Sequence, residues 1–173
     1  MSIITLTTDF GSKDYFVSVI KASIYNEIPN ANVIDISNSI SPFNHSEAAY
    51  ILKNAYHAFP KKSIHIVGVD SEFSPENKHL LMRFDGHYFI GADNGIFSLL
   101  LEGRKYDKLV EINIHNVSVS SFPVLDVFVK VAGHLSRKGN MEVVGIETNE
   151  LKENINVNPV INESQTQLIG SVI

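Results

Sequence analysis

IHIVGVDSEFSPENKHLLMRFDGHYFIGADNG, residues 64–95, is where the chain changes its pattern. The run IHIVGV reads as a buried strand that ends on one acid, Asp70. A polar loop with one proline and no glycine follows, up to Leu80. Beyond it, HLLMRF and HYFIG flank Asp85-Gly86, a strong short hairpin signal. Upstream of residue 64, strands alternate with helices instead. Residues 3–7, IITLT, read as a strand ending at Thr8-Asp9-Phe10-Gly11. From Asp14 to about Ile28, Phe16, Val17, Ile20, Ile24 and Ile28 fall at helical spacing, and Pro29-Asn30 stops that helix. NVIDI, 32–36, is a second strand. After SNSISPFN, Asn44 or Ser46 caps a helix reaching about Phe59, with Ala48, Ala49, Leu52, Ala55 and Ala58 inward. Strand alternating with helix predicts an α/β fold: a mostly parallel, Rossmann-like sheet with helices on both faces. Past the hairpin, the pattern predicts a short helix near Ile96–Leu101, a strand around Leu109–Ile114 and a helix from about Asp126 to Arg137.

Composition narrows the classes of function. The chain has 173 residues, 44% hydrophobic and 19% charged, enough for one ordinary core. A net charge of -5 argues against nucleic acid as a partner, because neutralising phosphates needs a basic face. No apolar stretch reaches the ~20 residues that cross a bilayer. The N-terminus, MSIITLTTDFG, enters a strand without a basic leader, so a cytoplasmic location is expected. With no cysteine, neither a disulfide framework nor a thiolate site is open to the chain. No zinc-type histidine spacing, phosphate-cradling glycine loop or nucleophile elbow is present, and no metal site is expected.

Ligands of open α/β sheets bind beyond the carboxyl ends of the strands. Asp9, Asp35, Asp70 and Asp93 all stand at such ends. Any one of them serves equally well as a helix cap or turn acceptor. Four converging carboxylates would repel unless donors, a cation or a ligand separate them. Asp9-Phe10-Gly11 also suits a nucleoside: the carboxylate can accept two hydrogen bonds from a ribose diol, while Gly11 admits a ligand to the backbone. Asp93-Asn94-Gly95 is equally a plain tight turn. Lys21, His57 and His134 read as solvated or structural, and His65 as a core histidine.

In order, LTTDFG (6–11) with Asp14-Tyr15 and Lys21, Pro29-Asn30-Ala31 before VIDIS (33–37), Pro42, Ala48-Ala49, Phe59-Pro60, IHIVGVD (64–70), GADNG (91–95), FPVLDVF (122–128) and GHLSRKG (133–139) resemble one family. It is that of the S-adenosyl-L-methionine (SAM) hydrolases (adenosine-forming), or SAM hydroxide adenosyltransferases, relatives of the bacterial fluorinase and chlorinase. The resemblance runs over roughly residues 3–140. It implies an α/β N-terminal domain over 1–146, a linker over 147–167, and residues 168–173 as the first strand of a C-terminal β-barrel domain. It also implies a homotrimer with SAM, or adenosine, bound between subunits, and displacement at the ribose C5′ without a cofactor. By resemblance Asp9 holds the ribose, Phe43 packs against the substrate and Asp70 orients the attacking water. Phe10, Gly11, Asp14, Asp93 and Asn94 belong to the substrate-binding motifs.

Departures accompany the likeness. The family's Asp-Arg-His set keeps its Asp as Asp70, but its Arg falls on Asn77, with Lys78 and His79 beside it as substitutes. The family's His and second Arg fall on Pro123 and Leu125. Three readings therefore stand: a SAM hydrolase completed by a second domain, a SAM- or adenosine-binding module without chemistry, and a Mg²⁺-dependent phosphate-ester hydrolase using the acids.

Overall fold

The computed structural model describes residues 2–114, 120–154, 160–161 and 168–169. Seven strands form one sheet in the order β2-β1-β3-β5-β4-β6-β7. They are β1 (Ile3–Thr8), β2 (Asn32–Ser37), β3 (Ile64–Gly68), β4 (His79–Phe84), β5 (His87–Ala92), β6 (Lys108–Ile112) and β7 (Gly145–Glu147). The pairs β1–β2, β1–β3 and β3–β5 are parallel, whereas β4–β5, β4–β6 and β6–β7 are antiparallel. The expectation of a mostly parallel sheet is corrected: the sheet is mixed, half of it built from the hairpin outward. The hairpin inserts its second strand against β3, so β5 continues the parallel half and β4 begins the antiparallel one.

Four helices follow the sequence pattern closely: α1 (Phe16–Glu27), α2 (His45–Tyr56), α3 (Ile96–Leu101) and α4 (Val129–Ser136). Asn44 caps α2, its side-chain oxygen accepting from the Glu47 amide at 3.1 Å. A π-helical turn, Val124–Phe128, leads into α4 where a plain helix is expected. The core lies in two layers. Ile4, Leu6, Ile64 and Ile66 meet Ile20 and Ile24 of α1, with Val124, Phe128 and Val131. On the opposite face Val67, Leu80, Met82 and Phe89 meet Leu52 and Tyr56 of α2, with Phe97 and Leu100 of α3. Helices thus cover both faces, as the alternation requires.

Of the expected linker, residues 148–154 lie against the domain: the Thr148 amide donates to the Leu109 carbonyl and the Asn154 amide to Ser98 Oγ. Val160–Ile161 (β8) pairs antiparallel with Leu168–Ile169 (β9). Residues 155–159 and 162–167 of that linker, and 170–173 of the expected terminal strand, lie outside the described residues. Among the described residues no helix is long and apolar enough to cross a membrane.

Candidate functional site

The strand order 2-1-3 makes the chain leave β1 in one direction and return beside it from the other. The topological switch point of the sheet therefore lies between β1 and β3, where ligands of open α/β sheets bind. Thr8 is paired with Gly68, so both strands end at the same level and deliver Asp9 and Asp70 to one rim. Gly68 is small because a Cβ there would stand 2.8 Å from Val124 Cγ2 and 3.1 Å from Thr8 Cγ2.

The segment after β2 folds back onto β1. The Gly11 amide donates to the Asn38 carbonyl at 2.6 Å, and Thr8 Oγ1 to Asn38 Oδ1 at 2.9 Å. The Phe43 amide donates to Asp9 Oδ2 at 3.2 Å, so Asp9 acts first as the anchor of this loop. Phe43 adopts a left-handed backbone, φ 59°, and its ring is 71% exposed. Such a conformation costs an L-residue ~1 kcal/mol or more. Phe10 packs instead into an aromatic corner, 5.4 Å from Phe122 and 5.9 Å from Phe16 between ring centroids. Asp14 is local and exposed, accepting from the Tyr15 amide just ahead of α1.

Asp70 also has a left-handed backbone, φ 44°. Two side chains hold it there. Asn94 Nδ2 donates to the carbonyls of Val69 and Asp70, at 2.9 and 3.1 Å, from a nearly fully buried position. His45, the first residue of α2, places Nε2 2.9 Å from Asp70 Oδ2, with both side chains 24% exposed. A carboxylate only accepts, so the hydrogen lies on Nε2 and in the neutral ring Nδ1 carries the lone pair. Asp70 Oδ1 has no hydrogen bond among the described residues.

Asp93, Lys78 and Asn77 form a neighbouring polar group. The Asp93 amide donates to the Lys78 carbonyl, and Asp93 Oδ1 accepts from the Lys152 amide at 2.9 Å. Burial pushes the Asp93 carboxyl above its ordinary value, opposed by the Lys152 amide. Lys78 gives its ammonium to Glu111 at 2.9 Å, a hydrogen bond that raises its pKa. Asn77 Oδ1 accepts from Lys152 Nζ at 3.0 Å. His79 turns inward: its Nε2 holds the Ser71 carbonyl at 3.0 Å, its Nδ1 is buried without a partner, and burial lowers its pKa.

The structure therefore brings Asp9, Phe43, Asp70 and Asn94 onto one rim and separates others from it. Asp35 is removed from the set of rim acids, because it pairs with Lys21 across β2 and α1. Among the described residues no three His, Asp or Glu side chains group as a metal site, which leaves the Mg²⁺ reading without a ligand set there. His45 and Lys152 escape the sequence reading. Their partners are 25 and 75 residues away, and no local spacing signals either contact.

The SAM hydroxide adenosyltransferase N-terminal domain matches residues 4–145. An (R)-S-adenosyl-L-methionine hydrolase of Methanocaldococcus jannaschii is 34% identical over 141 residues, 78% of this chain and 53% of its own length. One of Thermus thermophilus is 26% identical over 75% of the chain and 54% of its own length. A crystal structure of an uncharacterized conserved protein from Thermotoga maritima superposes with a TM-score of 0.82 at 30% identity. That match covers 92% of this chain and 63% of the other. The chain thus spans about half the length of the curated relatives it matches. The matched domain and the 34% identical relative place it: the chain belongs to the SAM hydroxide adenosyltransferase family, through that family's N-terminal domain.

Proposed function

We propose that the chain carries the nucleophile-positioning half of a site that converts S-adenosyl-L-methionine and water to adenosine and L-methionine. The observation that carries this reading is Asp70. It is held at the switch point by Asn94 and His45, and its Oδ1 accepts no hydrogen bond among the described residues. Methionine leaves from a sulfonium as a neutral thioether, so the leaving group needs no general acid. What the reaction asks of the protein is an in-line water and somewhere for its proton to go. The acids at the rim suit a cationic sulfonium. Asp9 keeps one oxygen for a ribose diol after accepting from Phe43, and the exposed Phe43 ring offers an apolar face to substrate. The hydrolases of Methanocaldococcus jannaschii and Thermus thermophilus support the reaction type.

Within this reading Phe10, Gly11, Asp14 and Asp93 shape the pocket, and Asn77 and Lys78 border it. Residues 1–146 are its α/β domain, 147–167 a linker, and 168 onward the start of a β-barrel domain that completes the site. The working protein is a cytoplasmic homotrimer with SAM or adenosine as its small-molecule ligand and no separate cofactor. The test is quantification of adenosine and methionine formed from SAM by the native polypeptide that carries this chain. Product that depends on Asp70 sustains the reading, and product unchanged in Asp70→Asn refutes the role of that residue.

A second reading rests on the resemblance, by which Asn77 and Pro123 take the positions of the family's Arg and His. On that reading the chain binds SAM or adenosine without turning it over. Calorimetric heat on adding adenosine, abolished by Asp9→Ala and accompanied by no product, would favour it.

A further inference from the structure

We infer that His45 is the proton acceptor for the attacking water, a role this chain supplies from the start of α2. The inference rests on the proposed SAM hydrolysis and adds to it the group that takes the proton. His45 Nε2 is 2.9 Å from Asp70 Oδ2, and each side chain is three-quarters buried. The Asp70 carboxylate fixes the ring's orientation and its tautomer, leaving Nδ1 as the basic nitrogen. Nδ1 makes no hydrogen bond among the described residues and belongs to a partly exposed ring, whereas the unpartnered nitrogens of His79 and His87 are buried. His65 joins Thr5 and His87 in the core, His79 holds the Ser71 carbonyl, and His134 Nε2 meets the Asn140 carbonyl. An imidazole oriented by a carboxylate, with its second nitrogen unspent, is the arrangement that general-base catalysis requires.

The placement is set by the fold. The loop after β2 is tied to β1 through Asn38 and through Asp9, and Asn44 then starts α2 at once. The first helical residue is thereby carried over the end of β3. In the reaction the water oxygen forms its bond to C5′ as the C5′–S bond breaks and sulfur keeps that electron pair. The water proton passes to His45 Nδ1, giving an imidazolium paired with Asp70, and from there to solvent. The products are adenosine, methionine and one proton.

The test compares His45→Ala and His45→Gln with the wild type in the native polypeptide, each shown to keep its fold by circular dichroism. Gln can still donate to Asp70 but cannot take a proton at the second nitrogen. The expected result is loss of adenosine release by about 100-fold or more in both variants. Added imidazole is expected to raise the rate of His45→Ala by about tenfold while leaving His45→Gln unchanged. A His45→Gln rate within about threefold of wild type would overturn the inference, showing that His45 only holds Asp70. So would a His45→Ala rate that imidazole does not move. A wild type that forms no adenosine from SAM overturns the hydrolase reading itself, so the two failures are told apart.

Discussion

Asp70 and Phe43 both take left-handed backbones, φ 44° and 59°, at the same rim. Asp visits that region more readily than most residues and Phe rarely does, so the Phe43 conformation above all is imposed by its surroundings. Asn adopts it more readily than most residues, so Asp70→Asn leaves the backbone undisturbed. Adenosine release by that variant is expected to fall about 10²- to 10³-fold, with a melting temperature close to wild type. Phe43→Gly separates strain from function. Its ring buries little, so the substitution is expected to leave stability unchanged or raise it by up to ~1 kcal/mol in urea titration. Adenosine affinity, read by calorimetry, is expected to weaken about tenfold as a stacking surface is lost. Asp9 and Asp70 were legible in the sequence because an acid closing an apolar run marks a strand's carboxyl end. His45 was not, because what makes it notable is a contact formed only when α2 crosses β3.

Helices and strands were largely legible, since apolar period and breakers fix them: Pro29 and Pro60 follow α1 and α2, and Asp85-Gly86 turns the hairpin. Pairing was not. The same strands HLLMRF and HYFIG are compatible with either one against β3, and hydrophobic pattern alone does not choose. Close packing of elements at the rim gives a direct test. Gly68→Ala drives a methyl into Val124 on the π-helical turn and is expected to cost ~1–3 kcal/mol of unfolding free energy. Adding Val124→Ala should recover part of that loss, because the two sites share one space. A double-mutant cycle with no coupling would contradict the packing described. At the start of α2, Asn44→Ala removes the cap and is expected to cost ~1 kcal/mol, with activity reduced further because His45 is the next residue.

Across the whole molecule, a buried chain of polar groups joins three strands: Thr5 Oγ1 lies 2.7 Å from His65 Nδ1, and His65 Nε2 lies 3.1 Å from His87 Nδ1. Burial, with a smaller push from His87, lowers the His65 pKa from 6.5 to about 3. Below pH 6.5 the unfolded chain therefore binds a proton that the folded chain refuses. Stability is expected to fall as pH drops through that window, by ~3 kcal/mol from pH 7 to pH 4 through His65 alone. His87 and His79 shift in the same direction and steepen the loss. Urea midpoints that do not change over this range would contradict it.

At the same scale, the matched relatives are about twice the length of this chain's match to them, so the rim is proposed as one wall of a larger site. The sequence could show that wall through its motif order, while the opposing wall has no counterpart among the described residues. The central claim is that water, activated at the Asp70–His45 pair, displaces methionine from C5′. It is tested most directly by incubating the native polypeptide with SAM in oxygen-18 water and weighing the products. The account predicts adenosine carrying one oxygen-18 in its 5′-hydroxyl and unlabelled methionine. Adenosine without the label, or no adenosine at all, would contradict it.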